Sequence, residues 1–191
     1  MSGVPRLVLA TRNPHKLREF ARLLGDAVEV VPLPAGLPSP EETGETFAEN
    51  ALIKARAAFA ATGSPSFADD SGIGAEALGW RPGVYSARYA GPGATDEDNL
   101  AKFEAEVPAG GALRYTCVIA LAGPDGERLF EGTCDGVMAS ARSGNRGFGY
   151  DPVFELPGGR TLADVSDAEK DAVSHRGRAA AQLRAFLGAG S

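Results

Sequence analysis

Asp69 and Asp70 close an apolar run, F-A-D-D, and are followed at once by Ser71-Gly72. A carboxylate at the C-terminal end of a strand beside a turn is well placed to bind a metal ion or to act as a general base. Successive strand side chains alternate between faces. One of the two aspartates is therefore expected in an active site, while its neighbour supports the loop or faces water. An ordinary acidic turn would have the same composition. Upstream, T-R-N-P-H-K joins an apolar run to a helix start at residues 11–16. The first amides of a helix lack partners, and its dipole favours an anion there. Thr11, Arg12, Asn13, Pro14, His15 and Lys16 thus form a candidate phosphate loop, in which Lys16 supplies a point charge. The competing reading makes Asn13 a helix cap and Lys16 a solvated surface residue. The segment is not a P-loop, because G-x-x-x-x-G-K-[ST] is absent.

Glu41, Glu42, Glu45 and Glu49 precede or open a second helix, where acids favour the positive end of the dipole. Asn50 and Lys54 are four apart and share a face of that helix, so Lys54 can reach inward among small alanines. In G-N-R-G-F-G-Y-D-P (residues 144–152), Gly147 and Gly149 flank Phe148. That spacing lets the backbone approach a flat ligand while the ring stacks on it, and Asp151 can accept ring N–H hydrogen bonds. A structural turn with a core aromatic is the other possibility. Finally, S-H-R-G-R (residues 174–178) puts Ser174 at a cap position with His175 and Arg176 in the first helical turn. A cation there opposes the helix dipole, and such a local conflict points to function. No G-x-S-x-G elbow or Ser/His/Asp arrangement is present, which disfavours covalent hydrolysis.

The bulk composition narrows the chemistry. The 191 residues are 43% hydrophobic and 23% charged, as in an ordinary globular protein. No apolar run approaches the roughly 20 residues of a membrane span, and the N-terminus lacks a signal-peptide pattern, so a cytoplasmic protein with no membrane partner is expected. Cys117 and Cys134, with His15 and His175, are too few for a disulfide framework or a zinc site. Any metal must be held by oxygen ligands, which favours Mg²⁺, Mn²⁺ or Ca²⁺. The net charge of −6 argues against a nucleic-acid polymer as partner, though not against one small anion in a local basic pocket. Only four of the 19 basic side chains are lysine: Lys16, Lys54, Lys102 and Lys170. In so arginine-biased a chain, a retained lysine can mark a place where a compact ammonium is needed.

The elements that must position these residues read as follows. A buried strand over 6–10 leads through the 11–16 loop into a helix with Pro14 at its first position, ended by Gly25. A second strand (27–31) and a Pro-rich loop (32–40) precede a helix from Thr46 to Ala61, with Thr46 and Glu49 at capping-box spacing. A short strand from Ser66 to Asp70 empties into Ser71-Gly72, and a Gly/Pro-rich loop spans 79–94. Thr95 caps a helix that turns Leu100, Phe103 and Val107 to the core. Leu113–Ala122 and Arg128–Met138 form a long antiparallel hairpin around Pro-Asp-Gly. The last helix starts at Ser174 and buries Ala180, Leu183, Phe186 and Leu187. The mixture predicts an α/β protein around a mixed β-sheet with flanking helices, as a single domain over 1–191.

In series, V-L-A-T-R-N-P-H-K, E-E-T-G-E-T-F-A-E-N-A-L-I-K-A, F-A-D-D-S-G, P-G-V-Y-S-A-R-Y-A-G, G-F-G-Y-D-P-V-F and S-H-R-G-R-A resemble the inosine triphosphate pyrophosphatase family, the RdgB/Ham group of dITP/XTP diphosphatases. The likeness runs from about residue 7 to 187. It implies an elongated α/β fold of two lobes with the active-site cleft between them, commonly a homodimer. The implied activity is Mg²⁺-dependent hydrolysis of ITP, dITP and XTP to monophosphate and pyrophosphate. By the same resemblance, Thr11, Asn13, Lys16 and Lys54 bind phosphate, Glu42 and Asp70 hold Mg²⁺, and Asp70 also acts as base. Ser71 touches substrate and Asp69 is a supporting carboxylate. Phe148 stacks on the purine, Gly149, Tyr150 and Asp151 complete that wall, and Lys170, His175 and Arg176 read the base edge. Many relatives have glycines where this chain has Arg12 and His15, which makes the phosphate loop bulkier here. A Maf-like pyrophosphatase of other specificity and a non-catalytic nucleotide-binding module are the alternatives. F-G-Y-D-P and S-H-R-G disfavour the first. Glu42 and Asp70 disfavour the second, because carboxylates repel phosphate unless a metal intervenes.

Overall fold

A computed structural model of the chain describes residues 4–189. Strand β1 (Arg6–Leu9) buries Leu7, Val8 and Leu9, a continuous apolar run of the kind found in parallel strands covered on both faces. It pairs in parallel with β2 (Glu29–Pro32) on one side and β3 (Ser66–Ala75) on the other. Parallel neighbours need crossovers, and helices α1 (Pro14–Leu24) and α2 (Phe47–Thr62) supply them. Each is specified locally. Asn13 caps α1 and Pro14 opens it. Thr46 and Glu49 form a capping box on α2, and Gly63 closes that helix in the left-handed region at φ 66°.

The sheet order is β2-β1-β3-β5-β6-β7, with β4 (Arg81–Pro82) antiparallel to the end of β3. Strands β5 (Ala112–Gly123) and β6 (Gly126–Met138) are the long hairpin turned at Pro124-Asp125, and β7 (Phe154–Glu155) pairs antiparallel with β6. Helix α3 (Asp96–Glu106) carries a Thr95–Asp98 capping box and buries Leu100 and Phe103, with Val107 just beyond. Helices α4 (Asp167–Val173) and α5 (His175–Ala189) end the chain. The expected mixed α/β sheet with flanking helices is therefore present.

The chain divides into two compact units. Among the described residues the first comprises 4–70, 117–132 and 176–189, and the second 71–116 and 133–175. In the first unit Leu7, Leu9, Phe20, Leu24, Phe67, Ile119 and Leu183 form the main core. Ala51, Ala55, Ala68, Ala120 and Ala122 let α2 pack closely in a second cluster. The second unit has its own core around Ile73, Phe103, Leu113, Tyr150, Phe154 and Leu162.

Two expectations need correction, and one helix was not anticipated. The third strand does not end at Asp70; it continues to Ala75, with Ser71 and Gly72 inside it. The glycines there signal close backbone approach as well as turning, since a Cβ on Gly74 would lie 2.7 Å from the Trp80 carbonyl oxygen. Phe186 is 43% exposed, under Arg128 and beside Phe130, because the face of α5 that meets the core is carried by Ala179, Ala180 and Leu183. Helix α4 was missed, although its Ser166–Glu169 capping box was readable.

Gly136 tests the second core. A Cβ at this position would meet the Phe154 ring at 2.5 Å and the Glu155 carbonyl oxygen at 2.6 Å. Gly136→Ala should therefore lower the unfolding free energy by about 1–3 kcal/mol through overpacking. Urea denaturation showing no loss would mean that the β6–β7 contact yields more easily than its distances imply.

Candidate active site

The acidic cluster of the first unit is set by the alternation of β3. Asp69 is 3% exposed and receives Lys16 Nζ at 2.9 Å on Oδ2. The same carboxylate oxygen lies 3.5 Å from an Arg176 guanidinium nitrogen, while the other terminal nitrogen of Arg176 donates to Glu19 Oε2 at 2.9 Å. Arg176 is itself only 2% exposed and lies over the Phe20 ring. Burial pushes the Asp69 carboxyl up, but Lys16, Arg176 and Lys54 outweigh it and hold the group well below the usual carboxylate range. Cys117, also against Asp69, has its thiol pushed up by burial and by that negative neighbour, so it is an inert core residue.

Asp70 turns elsewhere. Its Oδ1 accepts from Lys54 Nζ at 3.1 Å and its Oδ2 from Asn50 Nδ2 at 3.3 Å. Lys54 also donates to Glu42 Oε1 at 2.7 Å, so two carboxylates from different segments meet at one ammonium. Burial raises the Asp70 carboxyl above its ordinary value, with Glu42 adding to the rise and Lys54 opposing it. For Lys54, burial acts to lower the ammonium, but Asp70, Asp69 and Glu42 together raise it. A carboxylate with an elevated pKa lies closer to the range where a general base is useful.

The 11–16 loop behaves differently from a bare amide cradle. Asn13 Oδ1 accepts from the His15 amide at 2.8 Å and the Lys16 amide at 3.4 Å, and Thr11 Oγ1 takes the Asn13 amide at 3.2 Å. Asn13 is thus the cap of α1, and in this conformation the loop presents side-chain cations rather than amides. Arg12 donates to the Leu37 carbonyl, and Arg18 approaches His15 Nδ1 at 3.0 Å. Lys102 pairs with Glu106 one turn along α3, as befits a solvated lysine.

The second unit gathers a separate constellation. Lys170 Nζ donates to Asp151 Oδ2 at 2.6 Å, Tyr115 Oη reaches Asp151 Oδ1 at 3.4 Å, and the Phe148 amide donates to Asp151 Oδ2 at 3.0 Å. Gly147 has φ 73°, and a Cβ there would lie 2.0 Å from that Oδ2, so the turn that brings the amide to the carboxylate requires glycine. Lys170 Nζ sits 5.4 Å from the Phe148 ring centroid, and His175 stacks on Tyr115 at 4.5 Å. Tyr150 is a core residue: its hydroxyl donates to the Ser86 carbonyl at 2.7 Å and its ring meets Phe103. Burial pushes that phenol up.

Comparison with known proteins gives the chain a family context. Residues 7–186 match the Ham1 family. The chain belongs to that family. It is 53% identical over 184 residues to the dITP/XTP pyrophosphatase of Symbiobacterium thermophilum, covering 93% of this chain and 92% of that one. Among solved structures, the Coxiella burnetii HAM1 protein is similar at TM-score 0.85 and 42% identity, over 96% of this chain and 98% of that one. The Staphylococcus aureus Ham1 protein gives TM-score 0.83 and 37% identity, over 97% and 100%.

Membership of the Ham1 family implies a divalent-metal-dependent nucleoside triphosphatase. Among the described residues no group of three or more His, Cys, Asp or Glu converges in the manner of an all-protein metal cage. Glu42 and Asp70, however, already converge on one cation, the Lys54 ammonium. One or two carboxylates completed by substrate phosphates are a usual donor set for Mg²⁺, so the residues present fit such an ion. Three polar residues that sequence reasoning gave no role emerge beside these groups: Glu19, Asn50 and Tyr115. Glu19 lies off the face marked by Leu17, Phe20, Ala21 and Leu24, so helical periodicity did not announce its burial.

Asp69 supplies the stability test. Asp69→Asn leaves Lys16 and Arg176 beside a neutral amide, which should cost about 3–5 kcal/mol at pH 7. The folded-state pKa of Asp69 lies below its unfolded value of about 3.9, so its contribution is complete above about pH 5 and is lost as the pH falls. Urea denaturation at pH 7 and pH 3 should therefore show the gap between wild type and variant narrowing, by about 1.4 kcal/mol per unit below pH 4. A gap that stays constant across that range would contradict the assignment.

Proposed function

We propose that this chain hydrolyses non-standard purine nucleoside triphosphates (dITP, ITP and XTP) to the monophosphate and pyrophosphate, clearing them from the cytosolic nucleotide pool. The convergence of Lys54 on Glu42 and Asp70, next to the Lys16–Asp69 pair, carries the reading within the family context. Small purine nucleotides are its substrates, Mg²⁺ its metal and the homodimer its working state. Among the described residues no helix is long and apolar enough to cross a membrane.

Water attacks the α-phosphorus, the bond to the bridging oxygen breaks, and pyrophosphate departs with the negative charge. Asp70 receives the water proton, a role its burial favours. Lys16 and Lys54 exchange carboxylate partners for phosphate oxygens and offset the charge that builds on them. A Mg²⁺ ion held by Glu42 and Asp70 would supply Lewis-acid stabilisation of the phosphate oxygens. Thr11, Asn13 and Ser71 line the phosphate end, with Arg12, Pro14 and His15 shaping the loop.

Phe148 stacks on the purine beside Gly149, and Asp151, Lys170 and His175 meet its polar edge. Asp151 offers acceptors and Lys170 donors. A 6-oxo purine with N1–H matches that pair, whereas adenine presents the reverse pattern. Tyr150 acts from the core as a buttress for the wall. Arg176 acts through Asp69 and Glu19, which already hold its guanidinium, and not as a direct reader of the base.

Purified protein supplied with dITP should release equimolar monophosphate and pyrophosphate in Mg²⁺ and nothing in excess chelator. Asp70→Asn should lower turnover by about 10²-fold or more. Release of orthophosphate, or equal turnover of a pyrimidine triphosphate, would reject the reading. The second of these results would favour a Maf-like enzyme. A further expectation separates the two lysines' role from general binding. Lys16→Ala and Lys54→Ala should weaken the triphosphate more than the monophosphate in calorimetric titrations, because the lost contacts lie on the leaving group.

A further inference from the structure

Asn50 is completely buried on the first turn of α2 and has no part in the reaction described above. Its Oδ1 accepts from the Gly44 amide at 2.8 Å, and its Nδ2 donates to Asp70 Oδ2 at 3.3 Å. The Gly44 amide can only donate and an ionised carboxylate can only accept, so a single orientation of the side-chain amide satisfies both ends. Gly44 belongs to the segment carrying Glu42, and the fit there is close. A Cβ on Gly44 would meet Asn50 Oδ1 at 2.7 Å and Glu49 Cβ at 2.6 Å. Asp70 is thereby gripped on both oxygens, by Lys54 on one and Asn50 on the other. Lys54 in turn reaches Glu42. Two routes, one through a charge and one through a neutral amide, join the Glu42 segment to the Asp70 strand.

We infer that Asn50 is a positioning residue for the Glu42–Asp70 carboxylate pair, a buried amide tie that sets their separation while leaving Lys54 able to turn to phosphate. The assignment rests on the proposed function, in which Lys54 is released from its carboxylates when substrate binds. An ion pair alone would lose its hold on both carboxylates at that moment. The amide contacts persist, since neither Asn50 nor Gly44 changes partner. Replacement by aspartate keeps volume and the Gly44 contact but sets acceptor against acceptor at Asp70. Replacement by leucine keeps volume and loses both contacts.

Activity on dITP is measured first in the wild type; its absence would remove the functional reading itself. With wild-type activity present, Asn50→Asp and Asn50→Leu should each lower kcat by about 30-fold or more. The KM for dITP should change by less than about threefold, and the Mg²⁺ concentration for half-maximal rate should rise. Calorimetric binding of magnesium pyrophosphate should weaken about tenfold in Asn50→Leu. The same substitution made in Glu42→Gln should have much less effect on that affinity, because the pair it positions is already broken. Gly44→Ala perturbs the tie from the loop side and should reproduce the loss, which keeps the inference testable if Asn50→Leu does not fold. Wild-type kcat in Asn50→Asp, full activity in Gly44→Ala, or strictly additive effects with Glu42→Gln would each overturn it.

Discussion

The buried carboxylate of Asp69 is the constraint on which the rest of the first unit depends. An isolated anion at 3% exposure would be untenable, so its position requires cations brought from elsewhere in the chain. Lys16 arrives from the first turn of α1 and Arg176 from the first turn of α5. Arg176 has then to be balanced in its own right, which Glu19 does from the buried side of α1. Four charged groups thus tie β3, α1 and α5 together. The result is a fixed placement for Lys16 more than a gain in stability, because desolvation offsets much of what such pairs contribute.

The next residue along β3 faces a different problem. Asp70 is less completely enclosed and is paired with Lys54, which also holds Glu42. Here the opposing charges do not balance in favour of the carboxylate, and burial leaves the Asp70 carboxyl raised where that of Asp69 is depressed. One strand therefore carries two aspartates with opposite electrostatic fates. The division follows from the two-residue period of the strand, which sends one side chain to Lys16 and Arg176 and the other to Lys54 and Asn50.

Much of this was legible in the sequence because it is local. The Thr46–Glu49 capping box located α2, Pro14 and Asn13 located α1, and the alternation of Asp69 and Asp70 implied separate roles. The cation in the first turn of α5, Arg176, stood out in the sequence, but its partners did not. Its partner Glu19 lies 157 residues away, and only the tertiary fold brings the two together. Tyr150 shows the same limit. The resemblance places it in a ligand wall between Gly149 and Asp151; only the fold shows that its hydroxyl is committed to Ser86, 64 residues away. The extension of β3 through Ser71-Gly72 was hidden because glycine signals a turn and a close backbone approach with the same letter.

Charge accounting in the first unit explains why a metal belongs to this chemistry. Glu19, Glu42, Asp69 and Asp70 are met by Lys16, Lys54 and Arg176, which leaves the cluster with more carboxylates than cations. Arg176 is spent on buried partners, so on the proposed function Lys16 and Lys54 would be the cations that turn toward phosphate. Each would leave a carboxylate behind on doing so. For Asp69 the remaining Arg176 contact lessens that penalty. Glu42 and Asp70 share the Lys54 ammonium, and a phosphate that drew it away would leave two acidic side chains facing an anion. Like charges so placed repel by several kcal/mol in a partly desolvated site. A divalent cation held by those carboxylates would remove the conflict, in keeping with the metal dependence that family membership implies. On the proposed function, Lys54 would keep the two carboxylates together until phosphate and metal arrive.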